Sequence, residues 1–177
     1  MLNHGGYRNL KSYQATTIIY DLTVDFCARY VSKFSRTVDQ MVQAARSGRQ
    51  NIAEGSQVSA VSKKSGLKLV GIARASLEEL LNDYEDFLRQ RSLTQWAKDH
   101  PKAQPIRALA YTSDKSHTTY SSYLSEQESA ANCLIILIHQ ANFLLDRQLQ
   151  SLEQSFIKDG GLTENLFKKR MEYKRSR

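Results

Sequence analysis

The chain has 177 residues, and its 25 Lys and Arg against 18 Asp and Glu give a formal net charge of +7. A hydrophobic content of 41% supports a buried core in one domain of ordinary size, which excludes a chain that is disordered throughout. Two prolines and eight glycines exclude a collagen-like protein, and the longest apolar run, residues 133–138, is far shorter than the roughly 20 residues of a membrane-spanning helix.

The first predicted helix covers about residues 10–34. Apolar residues recur in it at three- and four-residue steps, which places them on one helical face: Ala15, Ile19, Leu22, Phe26 and Tyr30. We expect Cys27, Val31 and Phe34 to widen this face.

The second predicted helix covers about residues 37–54, and its inward positions are Val38, Met41, Val42, Ala45 and Ile52. Thr37 is the expected N-cap, because its hydroxyl can accept a hydrogen bond from a free backbone N–H of the first turn. Gly55 is the expected end of this helix, since glycine adopts the left-handed cap conformation at little cost.

The third predicted helix covers about residues 62–90, with Ser62 as its N-cap. Its apolar positions again follow the helical period: Val70, Ala73, Leu77, Leu80, Leu81, Tyr84 and Phe87.

Residues 92–124 have a different composition, because they contain both prolines and a polar run rich in Ser, Thr and Tyr. A connection of this length is usually functional or disordered when it lacks structure of its own. We expect a short helix at residues 93–100 and a loop over the rest.

The fourth predicted helix begins at Ser125, where Ser125 and Glu128 have the spacing of a capping box. It continues to about Lys158 and ends before Gly160 and Gly161. Residues 133–138 are apolar on every side, whereas one face of a bundle helix covers only about a third to a half of its circumference. The additional apolar surface is therefore expected to contact either the 92–124 segment or another subunit.

Four amphipathic helices without any period-two pattern predict an all-α fold. The short first and second connections favour an antiparallel up-down four-helix bundle, with a long insert at about residues 92–124 between the third and fourth helices. We expect residues 1–160 to form the bundle and residues 161–177 to form a basic C-terminal tail.

The positive charge is concentrated in two segments. Residues 36–74 and residues 168–177 each carry a net charge of +5, whereas residues 75–99 carry −3. We expect the second and third helices to bring one basic set together at one end of the bundle: Arg46, Arg49, Lys63, Lys64 and Lys68. The tail contributes a second set: Lys168, Lys169, Arg170, Lys174 and Arg175. Each set is either a solvated charged surface or a contact for nucleic-acid phosphates.

Three sequence elements resemble one protein family, in the same order and at similar spacing. They are YRNLKSYQ at residues 7–14, QNIAEGS at residues 50–56 and IARASLEEL at residues 72–80. The family is that of the bacterial four-helix-bundle proteins encoded in intervening sequences of ribosomal RNA genes, which is related to the accessory variability protein of diversity-generating retroelements.

This resemblance covers about residues 7–91 and implies an up-down bundle that forms a homo-oligomer, possibly a pentamer. It also implies binding to RNA or DNA, or to a nucleic-acid-processing protein such as a reverse transcriptase. It implies no catalytic site. The 92–124 insert and the C-terminal extension depart from the family pattern, so the chain resembles a longer subtype.

The NIAEG element places two polar side chains, Asn51 and Glu54, close to one helical face beside core positions. Buried polar groups need hydrogen-bond partners, and the candidates are Ser76 and Glu79 of the third helix or the backbone N–H groups at the start of that helix. Together with Gly55, these residues are predicted to form a structural motif that fixes the packing of neighbouring helices, and the alternative is contact with a ligand or an ion.

The sequence contains no recognisable catalytic or metal-binding motif. The four histidines are scattered, and neither a CxxC pair nor a Glu-x-x-His motif is present. The N-terminal residues do not resemble a signal peptide, and two cysteines within apolar helical patterns suit a reducing compartment. We therefore expect a cytoplasmic protein with no membrane contact, cofactor or metal.

These observations predict a non-enzymatic, homo-oligomeric helical bundle that binds nucleic acid, or a nucleic-acid-processing partner, through its basic surfaces. The alternative is a scaffold that binds a protein through the 92–124 loop and the apolar face of the fourth helix. A third possibility is an enzyme that uses the polar loop.

Overall fold

The structure is a computed structural model that describes residues 6–176, and all regular secondary structure in this range is helical. Its α-helices are α1 (Lys11–Tyr30), α2 (Arg36–Ser59), α3 (Lys63–Gln90), α4 (Ala103–Ala108), α5 (Gln127–Asp159) and α6 (Leu162–Arg175). Short 3-10 helices cover Gly6–Asn9, Leu109–Tyr111 and His117–Ser125. The all-α prediction is confirmed, with no strand between residues 6 and 176.

Four long helices enclose one hydrophobic core. α1 packs against α2 and α5, and α3 packs against the same two helices. Each helix contributes side chains that are completely or almost completely buried, among them Leu22, Phe26, Met41, Ile52, Leu77, Leu80, Leu134 and Ile138. The predicted apolar stripes therefore face a shared interior, which is the main source of stability for helices of this kind.

The helix ends follow the predicted local signals in part. Ser62 caps α3 as predicted, because its side chain accepts a hydrogen bond from the backbone N–H of Ser65. The N-cap of α2 is Ser35 rather than Thr37, whose backbone N–H donates to the Ser35 side chain. α1 ends at Tyr30, and Phe34 is 87% exposed, so the prediction that Phe34 extends the inner face is wrong.

Gly55 does not end α2, which continues to Ser59. Gly55 is buried within the helix, and a Cβ atom placed on it would lie only 3.2 Å from the carbonyl oxygen of Gly66 on α3. A Cβ on Gly66 would lie 2.6 Å from Cβ of Ser59, and one on Gly48 would lie 2.9 Å from a methyl group of Leu77. These glycines let the antiparallel helices α2 and α3 approach closely, which explains why Gly55 lies inside a helix.

α5 begins at Gln127 without a side-chain cap, so the predicted capping box at Ser125 is wrong. The Ser125 hydroxyl donates instead to the carbonyl oxygen of Ser122, and Glu128 binds the insert. The end of the helix is as predicted: Gly160, with φ of 70°, is the C-cap after Asp159.

The insert begins by binding the first turns of α5. The Glu128 carboxylate accepts hydrogen bonds from the Thr94 backbone N–H and from the Trp96 indole N–H, each at 3.1 Å. The Asn132 side chain accepts from the Trp96 backbone N–H at 2.7 Å and donates to the Thr94 carbonyl at 2.8 Å. We call these four residues the insert clasp. Residues 93–100 therefore do not form the predicted helix, because α5 binds their backbone.

The rest of the insert covers the apolar run of α5. α4 and the 3-10 helix His117–Ser125 both pack against α5. Their buried side chains join the core cluster that contains all of residues 133–138: Ala103, Ile106, Tyr120 and Leu124. Of the two contacts expected for this apolar run, the structure shows the one with the 92–124 segment.

The C-terminal segment is helical rather than an irregular tail. α6 follows the Gly160–Gly161 break and has no buried residue. Its first turn is held by Glu164, whose carboxylate accepts a hydrogen bond from the Gly161 backbone N–H at 3.1 Å.

Candidate nucleic-acid interface

α6 presents the densest group of exposed cations among the described residues. Five of its 14 positions are exposed Lys or Arg: Lys168, Lys169, Arg170, Lys174 and Arg175. No ion pair joins any of the five to another residue between 6 and 176. At 1.5 Å per residue, they lie along about 10 Å of helix axis and surround it rather than form a stripe. This is a compact positive surface, and here we call it the α6 cation group.

The other basic set is not brought together, so the prediction of a five-cation cluster at one end is wrong. Ser47 and Ser76 form a hydrogen bond of 2.9 Å, which places the adjacent Arg46 beside the middle of α3. Arg46 precedes the end of α2 at Ser59 by 13 residues, or about 20 Å of helix. The physical reason is that α2 continues past Gly55 and moves its turn away from Arg46 and Arg49.

Two members of this set have partners inside the chain. The Arg49 guanidinium carbon lies 4.5 Å from the centroid of the Tyr20 ring, in a cation–π contact with α1. The Lys63 ammonium lies 2.9 Å from Oδ2 of Asp159 and also donates to the hydroxyl and the carbonyl of Ser155, at 2.9 and 3.0 Å. Arg49 and Lys63 are therefore already engaged within the chain.

The Lys63 contacts join the two basic segments in space. Asp159 is the last residue of α5, and the hydrogen bond from Lys63 is the main reason why the pKa of this carboxyl is lowered. Since α6 begins three residues later, this ion pair places the first residue of α6 at the end of the molecule where α3 begins. Lys64 and Lys68, on the same part of α3, are exposed and form no ion pair with another described residue.

The polar residues of the NIAEG element separate into two environments. Asn51 donates to the Ser47 carbonyl at 2.9 Å and to the Ser47 hydroxyl at 3.1 Å, and Ser47 in turn bonds Ser76 of α3. Glu54 is exposed and accepts only a 3.4 Å hydrogen bond from Gln50. Asn51 and Glu54 are three residues apart, so their side chains point about 60° apart around the axis of α2. Glu54 therefore points away from the contact between α2 and α3.

The proposed packing role therefore fits Asn51 and Ser76, which are linked through Ser47, and it fits the buried Gly55. It does not fit Glu54, and Glu79 is exposed on α3 and forms no hydrogen bond or ion pair with the described residues of the NIAEG element. Sequence reasoning missed Ser47 as the link. The sequence does contain a signal for this link, because Ser47 lies four residues before Asn51 and therefore on the same face of α2.

α6 also carries exposed apolar side chains, which the sequence reading did not single out. Leu162, Leu166, Phe167 and Met171 are between 38% and 64% exposed. They are interspersed with the cations rather than segregated from them, because α6 has no buried residue and no core contact that would require a single apolar face.

Neither cysteine has the character of a reactive thiol. Cys27 and Cys133 are buried and unpaired, and burial raises their pKa values to about 11 and about 12. Within residues 6–176, no group of three or more His, Cys, Asp or Glu side chains is arranged to hold a metal ion. No helix in the described range is both long and apolar enough to span a membrane.

Comparisons of the chain with protein-family models, with curated proteins and with solved structures found no match.

Proposed function

We propose that the protein binds nucleic acid through the α6 cation group. The observation that carries this proposal is the exposure of five cations on one helix, without an ion pair inside the described chain. A phosphate backbone attracts such a group strongly, because its binding releases condensed counterions. The resemblance of residues 7–91 to the intervening-sequence family supports the same class of ligand.

The scaffold proposed for this helix is an antiparallel up-down four-helix bundle made of α1, α2, α3 and α5. The cyclic order of helix contacts supports it, since α1 and α3 each pack against both α2 and α5. Residues 92–124 are the insert between the third and fourth bundle helices, and α6 is an appendage at one end. In this arrangement the bundle has a structural role and no catalytic one.

Binding of this kind reads the phosphate backbone rather than the base sequence. The cations point in several directions around α6, so about three of the five can face one backbone at a time. The exposed aromatic rings of α6, Phe167 and Tyr173, lie on a helix and do not form a sheet platform of the type on which RNA-recognition domains stack bases. Affinity is therefore expected to be similar for different sequences and to fall steeply with salt.

The test is a fluorescence-anisotropy titration of labelled, random-sequence RNA and DNA of about 30 nucleotides at 50 and 200 mM NaCl. Three phosphate contacts predict a loss of affinity of about 20- to 40-fold between these two salt concentrations. Replacing the five α6 cations by Gln is expected to abolish binding at 50 mM.

A matched control removes five exposed cations elsewhere, so that the net charge falls by the same amount: Lys11, Lys33, Arg36, Arg91 and Lys98. This control is expected to weaken binding by less than about fivefold. No binding by the wild type at 50 mM NaCl, or an equal loss in both variants, contradicts the assignment to α6.

A second candidate function is a scaffold for a protein partner, and the exposed Leu166 and Phe167 of α6 favour it. The apolar run of α5, which the sequence had indicated for this role, is covered by the insert. Substituting Leu166→Ser and Phe167→Ser separates the two candidates, because both changes keep every cation. Loss of a protein partner with unchanged nucleic-acid affinity supports the scaffold, and the reverse pattern supports nucleic-acid binding.

A further inference from the structure

The outward face of α3 has a regular pattern that neither the core nor the proposed function uses. Seven residues follow each other at steps of four, three, four, four, three and four, which keeps them on one side of the helix. They are Lys64, Lys68, Gly71, Ala75, Glu79, Asn82 and Asp86. We call this row the α3 outer stripe.

The α3 outer stripe is open to solvent within the described chain. Its members are exposed except Gly71, which is half-buried, and a Cβ atom placed on Gly71 would meet no atom within 4 Å. Ile72, beside the middle of the stripe, leaves 39% of its surface exposed. The stripe therefore has small residues at its centre, which permit another backbone to approach closely.

Charge is segregated along the stripe. Lys64 and Lys68 lie at its N-terminal end, and Glu79 and Asp86 lie at its C-terminal end with Asp83 beside them. Asp83 has no ion-pair partner in the described chain, and burial together with the neighbouring Glu79 and Asp86 raises its pKa. A row that is basic at one end and acidic at the other is complementary to itself only when a second copy runs in the opposite direction.

The spacing fits that arrangement position by position. Residues at equal distances on either side of Ala75 face each other when two α3 helices pack antiparallel about a two-fold axis through Ala75. Lys64 then faces Asp86, Lys68 faces Asn82 with Asp83 alongside, Gly71 faces Glu79, and Ala75 faces Ala75. Every lysine of the stripe meets the acidic end, and no like charges are opposed.

We propose that the α3 outer stripe is a self-association surface, on which a second copy of this chain packs its own α3 antiparallel about a two-fold axis at Ala75. Such an interface is isologous, so each charged contact occurs twice. Lys64 of the second copy reaches the Asp86 carboxylate, which already accepts from Arg89 at 2.7 Å. The ion pairs set the direction and the register, while the centre supplies close backbone packing.

The contact is weak and sensitive to salt. One pair of helices buries less than the roughly 1,600 Å² of a standard protein–protein interface, and the apolar contribution comes from Ala75 and Ile72 alone. A dissociation constant on the order of 10 μM is expected, with association through charges that salt screens. This proposal does not depend on nucleic-acid binding, which is assigned to α6.

The first experiment uses a cysteine on the two-fold axis and a short bis-maleimide cross-linker, applied to nuclease-treated full-length protein at 50 μM. Cys27 and Cys133 are buried, so an Ala75→Cys variant has one accessible thiol among the described residues. It is expected to cross-link to a covalent dimer, with a yield that falls several-fold in 0.5 M NaCl.

Asn82→Cys is the matched control on the same stripe. In the antiparallel arrangement the two introduced thiols lie about 21 Å apart along the axis, so this variant alone is not cross-linked. Mixing it with Lys68→Cys brings two thiols face to face and is expected to give a heterodimer. Equal self-cross-linking of Ala75→Cys and Asn82→Cys indicates a parallel contact and overturns the proposal.

The second experiment exchanges charge without introducing cysteine. One variant carries Lys64→Glu and Lys68→Glu, and the other carries Glu79→Lys, Asp83→Lys and Asp86→Lys, so the stripe becomes wholly acidic or wholly basic. Each variant alone is expected to associate at least about tenfold more weakly than the wild type in sedimentation analysis. An equimolar mixture is expected to form a heterodimer, which also demonstrates that both variants are folded.

Three outcomes overturn the proposal. They are a wild-type protein that remains monomeric at 100 μM in 50 mM NaCl, a mixture of the two charge variants that does not associate, and an assembly of five copies that survives both sets of charge substitutions. If the variant with Lys64→Glu and Lys68→Glu binds nucleic acid at wild-type affinity, the function proposed for α6 is independent of the α3 outer stripe.

Discussion

Lys63, the first residue of α3, is bonded to Asp159, the last residue of α5, with 2.9 Å between Nζ and Oδ2. These residues are 96 positions apart in the sequence. Because Lys63 also donates to the hydroxyl and carbonyl of Ser155, it fastens the last turns of α5 to the start of α3. A cation that the sequence suggested for a ligand therefore has a structural role at the junction from which α6 departs.

The first prediction concerns this junction. Substituting Lys63→Ala is expected to raise hydrogen exchange at residues 155–161 by about three- to fivefold, which is the range expected when one exposed ion pair is lost. Exchange at residues 133–138 is expected to stay unchanged, because they are buried in the core. The matched control is Lys64→Ala, which removes an adjacent exposed lysine without an ion pair. Faster exchange in both variants contradicts a specific role for Lys63.

The second prediction tests the close approach of α2 and α3. Substituting Gly66→Ala places a Cβ atom 2.6 Å from Ser59 Cβ and 3.1 Å from the Gly55 carbonyl oxygen. We expect it to lower the free energy of unfolding by about 1–3 kcal/mol, despite the higher helix propensity of Ala. Gly71→Ala, on the same helix but in open space, is expected to raise it by about 0.5–1 kcal/mol. Urea unfolding at 1 μM protein measures both, and a stabilised Gly66→Ala variant contradicts the prediction.

The third prediction concerns the insert clasp and its dependence on pH. Hydrogen bonds from Trp96 and Thr94 lower the pKa of Glu128 below its ordinary value of 4.5. The Glu128 carboxylate therefore binds a proton more readily in the unfolded chain than in the folded one. Its contribution to the free energy of unfolding is complete above pH 4.5 and is lost as the pH falls through the lower pKa of the folded state. Trp96 is the single tryptophan of the chain, and its emission maximum reports on the clasp.

We expect that maximum to shift to the red as the pH falls from 5 to 3 in the wild type. In a Glu128→Gln variant the shift is expected to be present already at pH 5 and to change little on acidification, because an amide oxygen cannot replace both carboxylate acceptors. Glu126→Gln, two residues earlier and exposed, serves as the control and should titrate like the wild type. An unchanged titration in Glu128→Gln would exclude this carboxylate as the titrating group.

The sequence predicts those features of the fold that depend on local chemistry. Ser62 caps α3 and Gly160 ends α5, because a cap needs only a neighbouring backbone group and a permissive φ. The period of the apolar residues identifies the inner faces of four long helices for the same reason. Gly55 fails as an end signal because its role is decided by Gly66 across the α2–α3 contact, which no local pattern encodes.

The same distinction between local and tertiary contacts decides which cations can be identified from the sequence. Lys168 and its neighbours are close in sequence and lie on one short helix, so their grouping is predictable from the chain alone. Lys63 and Arg49 are not predictable as engaged residues, since Asp159 and Tyr20 reach them only through the tertiary fold. Sequence charge therefore locates the α6 cation group correctly and overestimates the number of free cations between α2 and α3.

The last prediction concerns the stability of the protein in alkali. Cys27 and Cys133 are buried, and their pKa values are raised from 9.0 to about 11 and about 12. The unfolded chain releases these thiol protons near pH 9 while the folded chain retains them, so the free energy of unfolding must fall as the pH rises above 9. The expected slope approaches about 1.4 kcal/mol per pH unit for each thiol.

Urea unfolding at pH 8, 9 and 10 measures this slope in the wild type and in a variant with Cys27→Ala and Cys133→Ala. The variant is expected to be less stable at pH 8, because both substitutions leave cavities in the core. Its stability is nevertheless expected to decline much less between pH 9 and 10, since the two titrating groups are gone. Tyr84, whose pKa burial raises well above 10.0, contributes only at higher pH. An identical slope in both proteins would mean that the thiols ionise equally in the folded and unfolded states, contrary to their burial.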